Sequence, residues 1–237
     1  LLLWSAKMPV SFVSKQRLQT LPSLGKPPKP EPKKRAKRMS PEERREQILN
    51  CGVQVFAAKG ISNATHADIA ATADVSIPTV FHYFPTIDVL QREVLLKVRS
   101  YLLDGFVYNR LDVDMPAYAR IEDMLLSFKE AVDSERDYVT IWLEWSGSTR
   151  GEIWELYTDF YKETIKAIRR LLLQGREDNS IGKGVDAGDA ARVILAMAHA
   201  IAHMRFTGSS QRTVEHMVHE LVLNYIAPEL KLSKKIA

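Results

Sequence analysis

The chain has 237 residues, of which 46% are hydrophobic and 26% are charged, and it carries a net charge of +4. This length leaves room for one large domain or two modest ones with a real hydrophobic core. The single cysteine, Cys51, excludes an intramolecular disulfide framework and is typical of a protein in a reducing cytoplasm. No apolar run approaches the roughly 18 residues that a bilayer-spanning helix needs, so no membrane association is expected.

Basic residues are concentrated at the start of the chain. Residues 1–40 contain ten Lys and Arg against one acidic residue, Glu31, so the rest of the chain is net negative. The stretch 20–38 is rich in proline and basic residues, which predicts a disordered basic tail over residues 1–39. Residues 1–30 are expected to include sequence upstream of the natural start or an unstructured leader.

This tail is either a solvated linker or a flexible arm that enters the DNA minor groove. Its position directly before the first predicted helix favours the arm. The residues expected to contact DNA from the arm are Lys33, Lys34, Arg35, Lys37 and Arg38.

Ser40-Pro41-Glu42-Glu43 predicts the start of the first helix. Serine is a good N-cap, proline is tolerated in the first turn, and a Glu three residues after the cap completes a capping box. The helix should end near Lys59, because Gly60 follows it. Its apolar residues, among them Ile48 and Phe56, are expected to pack on the segment that follows.

The stretch from His66 to Leu90 predicts a helix–turn–helix. Ile69, Ala70 and Ala73 have the spacing of one buried helix face, and a second apolar set repeats that spacing after a short turn. That second set, expected to face inward, is Ile77, Val80, Phe81 and Phe84. An ordinary helical pair has the same periodicity, so spacing alone leaves both interpretations open. The predicted DNA contacts are Thr65, His66, Ser76, Pro78, Thr79, His82 and Tyr83.

The pattern of Ile69-Ala70, Val75 and Val80, with the ending TVFHYF, resembles the helix–turn–helix and T-x-Y-x-Y-F signature of TetR-type transcriptional regulators. The resemblance extends from about Pro41 to Leu90. Many members have Gly where this chain has Asp74, but Asp tolerates a left-handed turn better than most residues. Many also have a Lys, expected to contact phosphate, where this chain has Ile87.

The remaining sequence has helical periodicity throughout. A fourth helix, capped by Thr86, should reach Tyr101 to Phe106, and five more follow near 116–132, 135–147, 150–175, 187–206 and 210–226. The expected fold is all-α, with an N-terminal three-helix head over residues 40–88. A C-terminal helical domain for regulation and dimerisation is expected over residues 89–230, which is the TetR-type architecture.

The segment from Ile141 to Trp154 contains three of the four Trp. It resembles the W-F-E-W-S-A-S-T-R-D-E-V-W segment of the LuxR/HapR branch, the quorum-sensing master regulators, and HADIA, TVF and YFPT recur there too. Pro78 and His82 depart from the Ala and Asn usual in that branch, so a different preferred operator is expected. The resemblance implies a cytoplasmic, nucleoid-associated regulator of transcription.

Trp142 and Trp145 are three residues apart and share a helix face. Their spacing fits a filled core as well as the wall of a cavity. The resemblance implies a cavity for a small apolar ligand, and alignment places Trp142, Trp145, Tyr161, Ile194, Met197 and Ala198 in its wall. Glu144 is expected to be structural, with Arg150 or backbone donors as its partner.

The last two predicted helices are expected to form a homodimer through a four-helix bundle. Their apolar stripes are Ala191, Ile194, Leu195, Ala198 and Ala202 on the first, and Val214, Val218, Leu221, Val222 and Tyr225 on the second. Such a dimer would separate two recognition helices by about 34–36 Å, so the operator should be an approximate palindrome.

No catalytic residue, cofactor or metal is expected. His199 with His203 and His216 with His219 have helical spacing, but no pattern such as His-Glu-x-x-His accompanies them. Two alternatives to a quorum-sensing regulator stay open. One is a generic TetR-type repressor released by a small apolar inducer. The other is a helical adaptor without DNA binding, an option that Pro78 in the recognition helix keeps available.

Overall fold

The computed structural model describes residues 39–230, and residues 1–38 and 231–237 lie outside it. Residues 1–38 of the predicted basic tail, with its five proposed DNA contacts from Lys33 to Arg38, therefore fall outside the described residues. Within residues 39–230 the chain forms nine α-helices and no strand, which confirms the all-α prediction. They are α1 Pro41–Lys59, α2 His66–Ala73, α3 Ile77–Tyr83, α4 Ile87–Leu102, α5 Ala117–Ser134, α6 Arg136–Gly147, α7 Gly151–Glu177, α8 Ala187–Phe206 and α9 Gln211–Leu221.

Side-chain caps define the helices at the N-terminal end. The Ser40 Oγ accepts from the Glu43 amide at 3.1 Å and a Glu43 carboxylate oxygen accepts from the Ser40 amide at 2.7 Å, which confirms the predicted capping box. Thr65 and Asp68 form a second capping box at the start of α2. α1 ends at Gly60, whose φ of +91° lies in the region that favours glycine.

The ends of two helices differ from the simple prediction. After Leu102, α4 continues as one π-helical turn over Leu103–Val107 and a 3₁₀ turn over Tyr108–Arg110. α9 likewise ends in a π-helical turn, Val222–Ile226. Periodicity cannot distinguish these turns from α-helix over so few residues.

The first four helices share one core. α1 packs on α2, α4 and α6, and Phe56, Ile69, Val80 and Leu90 are fully buried there. Gly52 lets α1 approach α4 closely, since a Cβ at that position would lie 3.1 Å from Val94 Cγ2. α4 then continues into the second group of helices, so the two parts of residues 39–230 are joined through a packed helix and not through a linker alone.

The second group is built around α5, α7 and α8, with α9 packed on α5. Two cations, Arg120 and Lys129, are buried in it, and each donates hydrogen bonds, although the buried Arg120 Nε has no acceptor among the described residues. Arg120 donates to the carbonyls of Arg110 and Leu111 at 3.1 and 2.8 Å, and Lys129 pairs with Glu215 at 2.6 Å. None of the described helices combines the length and apolar character that crossing a bilayer requires.

The stripes predicted to form the dimer interface lie mostly inside this core. Ala191, Ile194, Ala202, Val214 and Val218 are fully buried within a single chain. A side chain already covered by its own chain offers no surface to a partner, so the prediction was wrong for these residues. Any dimer through α8 and α9 must use their other faces.

Candidate DNA-reading surface and candidate ligand cavity

α2 and α3 are joined by a tight turn. Asp74 ends α2 with a φ of +52°, the left-handed conformation expected for the turn, and its amide and that of Val75 donate to α2 carbonyls. Ser76 then caps α3, its Oγ accepting from the Thr79 amide at 3.3 Å. Hydrogen bonds close both sides of the turn, so α3 is held rigidly against α2.

α3 buries only one side of itself. Val80 and Phe84 are fully buried, whereas Ile77 is 44% exposed and Phe81 is 48% exposed. The prediction that Ile77 and Phe81 face inward was therefore wrong. A helix of seven residues has room against α1 and α2 for one apolar stripe, and Val80 with Phe84 fills it.

The exposed side of α3 includes several of the predicted DNA contacts. Ser76, Pro78 and His82 are exposed, while Thr79 and Tyr83 are half-buried. The Thr79 Oγ1 lies 2.7 Å from the Ser76 Oγ, so these two hydroxyls already hydrogen bond to each other. Thr65 is exposed, but its hydroxyl donates to Asp68 and accepts from the Asp68 amide.

His66 is placed differently from the other predicted contacts. It is only 9% exposed, and its Nε2 lies 2.8 Å from the carbonyl oxygen of Phe84. Its ring stacks on Phe81 with the ring centroids 4.1 Å apart. The side chain therefore positions Phe81 from behind and links α2 to the end of α3.

The helix–turn–helix itself carries no positive side chain. The sequence contains neither Lys nor Arg from Gly60 to Gln91, and within that stretch it has Asp68, Asp74 and Asp88. Lys59 pairs with Asp68 at 2.6 Å, and hydrogen bonds from Lys59 and Thr65 lower the pKa of that carboxyl. Attraction to phosphates must therefore come from outside α2 and α3.

A cavity of about 50 Å³ lies between the end of α4 and helices α5 to α8. Thr164 is the single polar residue of its wall, and the Thr164 hydroxyl donates a hydrogen bond to the Phe160 carbonyl oxygen at 2.8 Å. Of the six predicted wall residues, Trp142, Ile194 and Ala198 line the cavity, and Trp145, Tyr161 and Met197 do not. The wall residues that the sequence did not predict are Leu102, Leu103, Phe106, Val107, Met124, Leu125, Phe128, Phe160, Thr164, Ile168 and Leu195.

The two tryptophans of α6 have different surroundings. Trp145 Nε1 donates to the Ile153 carbonyl at 2.8 Å and its ring packs on Tyr157 and Phe160, so Trp145 belongs to the core. Trp142 is 2% exposed, and its Nε1 has no hydrogen-bond partner in the described part of the chain. A buried donor without an acceptor costs about 1–3 kcal/mol, so this atom is a candidate contact for a bound molecule.

His199 covers the side of Trp142, with ring centroids 4.0 Å apart. Its Nδ1 lies 3.1 Å from the Leu195 carbonyl oxygen, and burial lowers the pKa of the imidazole. The lowered pKa favours the neutral form of the imidazole beside the cavity.

α6 also reaches the head of the molecule. The Glu144 carboxylate accepts from the Ile61 amide at 2.8 Å, directly after the left-handed Gly60 that ends α1. This confirms a backbone donor, and not Arg150, as the partner of Glu144. One turn of α6 therefore contacts both the cavity, through Trp142, and the loop between α1 and α2.

The histidines of α8 and α9 do not assemble a metal site. Among residues 39–230, no three His, Cys, Asp or Glu side chains are placed to hold an ion together. His219 instead pairs with Glu122 at 2.9 Å. Burial raises the pKa of the Cys51 thiol, as expected for a structural cysteine.

Comparison with known proteins agrees with this geometry. Residues 48–94 match the family described as bacterial regulatory proteins, tetR family. The chain is 33% identical over 190 residues to the HTH-type transcriptional regulator LuxR of Vibrio harveyi, covering 80% of this chain and 90% of that protein.

Two solved structures share the fold. Salmonella enterica GusR has a TM-score of 0.66 at 19% identity, covering 78% of this chain and 96% of its own. A transcriptional regulator from Saccharomonospora viridis, solved with choline, has a TM-score of 0.66 at 23% identity, covering 78% and 98%.

A helix–turn–helix head packed on a helical body defines a DNA-binding transcriptional regulator rather than an enzyme. The chain belongs to the TetR family of bacterial regulatory proteins. This assignment selects a regulator over the helical adaptor that the sequence alone left open.

Proposed function

We propose that this chain is a quorum-sensing master regulator that binds an approximately palindromic operator as a homodimer. The observation that carries the proposal is the rigid, outward-facing side of α3, which Val80 and Phe84 hold in place from behind. A helix presented in this way fits the DNA major groove. The 33% identity to Vibrio harveyi LuxR over most of both chains supports the quorum-sensing role.

The distribution of charge along the chain indicates which segment makes which contacts with DNA. Residues 40–88 form the DNA-binding head, and its helix–turn–helix lacks Lys and Arg, so the basic residues from Lys33 to Arg38 supply the phosphate contacts. Residues 89–230 form the domain for ligand binding and dimerisation. Since its target is chromosomal DNA, the protein acts in the cytoplasm.

The dimer forms through the outer faces of α8 and α9. On α8, the residues left uncovered by the chain include Val193, which is 37% exposed, and Ala196, with Met197 and Ala200 half-buried beside them. Small and apolar side chains on an outer helix face allow close packing of a second copy. The partner copy places a second α3 about one DNA turn away.

Selection from a random duplex library with the full chain tests this proposal. We expect the recovered sequences to contain an inverted repeat, and light scattering of the complex to give two chains per duplex. Val193→Arg should reduce dimerisation and operator affinity together, whereas the exposed α7 substitution Glu155→Arg should change neither. A selected site without symmetry, bound by one chain, would contradict the proposal.

A second candidate, a regulator released from DNA by an inducer, is favoured by the cavity. Its apolar wall and the unpaired Trp142 Nε1 suit a small apolar molecule that carries one hydrogen-bond acceptor. At about 50 Å³ the cavity is smaller than the roughly 300–1,000 Å³ of most ligand sites, so binding must displace side chains. A displaced Trp142 would shift α6 and, through Glu144, the Ile61 loop of the head.

Thermal-shift and operator-release assays with matched compounds test this candidate. We expect a ketone to raise the Tm and weaken operator binding more than the hydrocarbon of the same shape. Trp142→Phe should abolish the difference between the two compounds. Equal effects of ketone and hydrocarbon on the unsubstituted chain would contradict a role for Trp142 Nε1.

A further inference from the structure

We propose that α3 selects its operator by apolar contact between Phe81, assisted by Ile77, and the 5-methyl groups of thymines in the major groove. This inference rests on the proposed DNA binding and adds the chemical feature of the bases that is read. It arises from Ile77 and Phe81, two side chains that were expected to be buried and are instead exposed on α3.

The first step is the chemistry of the exposed face. Residues 77, 78, 81 and 82 have the spacing of one side of a helix, and this side adjoins the buried stripe of Val80 and Phe84. Three of these four, Ile77, Pro78 and Phe81, have no hydrogen-bonding group in the side chain. The major groove offers such residues one matching feature, the thymine methyl group, because its other distinguishing features are donors and acceptors.

The second step is the way Phe81 is held. Its ring stacks on His66 at 4.1 Å, and His66 is itself fixed by the Phe84 carbonyl at 2.8 Å. An exposed aromatic ring supported on one face keeps a defined position and loses little conformational freedom on binding. Such a ring can discriminate the presence of one methyl group, which a mobile side chain would not do.

The third step is that α3 has few polar groups available to recognise bases by hydrogen bonds instead. The Thr79 and Ser76 hydroxyls are 2.7 Å apart and already bonded to each other. Within α3, His82 is the exposed residue whose ring can exchange hydrogen bonds with a base edge. α3 therefore has few polar side chains that can hydrogen bond to base edges, and the larger part of its exposed face is apolar. Apolar surface left open on a folded protein commonly marks a binding site.

Replacing thymine by deoxyuridine tests the inference, since this change removes the 5-methyl group and keeps the base pair. Each thymine of the selected operator is replaced in turn, and affinity for the full chain is measured by fluorescence anisotropy. We expect one or two positions in each half-site to lose about fourfold in affinity, the transfer free energy of one methylene expressed as a ratio.

Variants assign the effect to its residue. Phe81→Ala should bind the thymine operator more weakly and should no longer distinguish deoxyuridine at the position that Phe81 contacts. Phe81→Leu should retain part of that distinction, because it keeps an apolar contact. His82→Ala is the matched control on the same face, and it should lose affinity but keep the full deoxyuridine effect. Thermal unfolding of each variant verifies that the head is folded.

The outcomes separate this inference from the proposed function. If the chain selects an operator but every deoxyuridine duplex binds as tightly as its thymine parent, methyl reading is wrong and DNA binding stands. Methyl reading by α3 is also wrong if Phe81→Ala and Ile77→Ala both keep the wild-type deoxyuridine penalties. If no duplex is preferred over bulk DNA, both the inference and the proposed function fail.

Discussion

Two of the apolar surfaces in the described part of the chain, the exposed face of α3 and the cavity around Trp142, differ in where they lie. The α3 face, with Ile77 and Phe81 about half exposed, meets solvent, whereas the cavity around Trp142 is enclosed by helices. Side chains on the open surface support little of the chain, while those around the enclosed one hold α5 to α8 together. Substitutions should therefore affect binding at the first surface and stability at the second.

Trp142→Ala should produce the largest effect. Removal of a fully packed indole leaves a cavity, and such truncations cost about 3–5 kcal/mol. Phe81→Ala, an aromatic truncation on the open surface, should cost less than about 1 kcal/mol because the ring is 48% exposed. Urea unfolding of both variants measures the two free energies. Similar losses at the two sites would remove the distinction between an open and an enclosed surface.

The two tryptophans of α6 allow a second comparison, between two buried indoles of the enclosed region. Trp145→Phe removes the bond to the Ile153 carbonyl, whereas Trp142→Phe removes a donor that has no partner among residues 39–230. Both changes remove similar apolar area, so Trp145→Phe should be the more destabilising by about 1–2 kcal/mol. If chemical denaturation gives the reverse order, Trp142 Nε1 has an acceptor in the free protein and its role as a ligand contact is wrong.

Glu144 connects the two regions, so its removal should have an intermediate effect. Glu144→Ala leaves the Ile61 amide without its acceptor and should cost about 1–2 kcal/mol. Glu144→Gln keeps an oxygen in place and should cost less. Glu155, exposed on α7, is the matched control, and Glu155→Ala should change the free energy of unfolding by less than about 0.5 kcal/mol.

Amide hydrogen exchange at Ile61 gives an independent measurement of this contact. Exchange should accelerate in Glu144→Ala and stay slow in Glu155→Ala. Unchanged protection of Ile61 in Glu144→Ala would show that α6 and the head are held together by other contacts.

The sequence predicted the parts of this structure that depend on local rules. Caps at Ser40 and Ser76 and the glycine after α1 place helix ends, because a few neighbouring residues decide them. The sequence did not distinguish Val80 from Phe81 on α3. In a seven-residue helix, residues 77 and 81 and residues 80 and 84 both have an apolar spacing of four, and only packing on α1 and α2 selects between them.

Dependence on tertiary packing also explains why the sequence did not predict the different roles of Trp142 and Trp145 or the partner of Glu144. Trp142 and Trp145 have equivalent spacing, and their difference depends on Ile153, which lies on another helix. The partner of Glu144 is 83 residues away in the chain. Three of the residues that the family resemblance implied, Trp142, Ile194 and Ala198, line the cavity, but the lack of an acceptor for Trp142 Nε1 among the described residues became visible only in three dimensions.

The smallest expected effect is a pH dependence at the edge of the enclosed region. Burial lowers the pKa of His199 below its ordinary value of 6.5, so the folded chain binds fewer protons there than the unfolded chain. Stability from this group is therefore complete above pH 6.5 and is lost as pH falls below that value. Denaturation midpoints measured from pH 7.5 to 5 should decline less steeply in His199→Phe than in the unsubstituted chain. The other histidines remain in both proteins, so the difference between the slopes isolates His199, and identical slopes would show that its ring is protonated as easily in the folded chain as in the unfolded one.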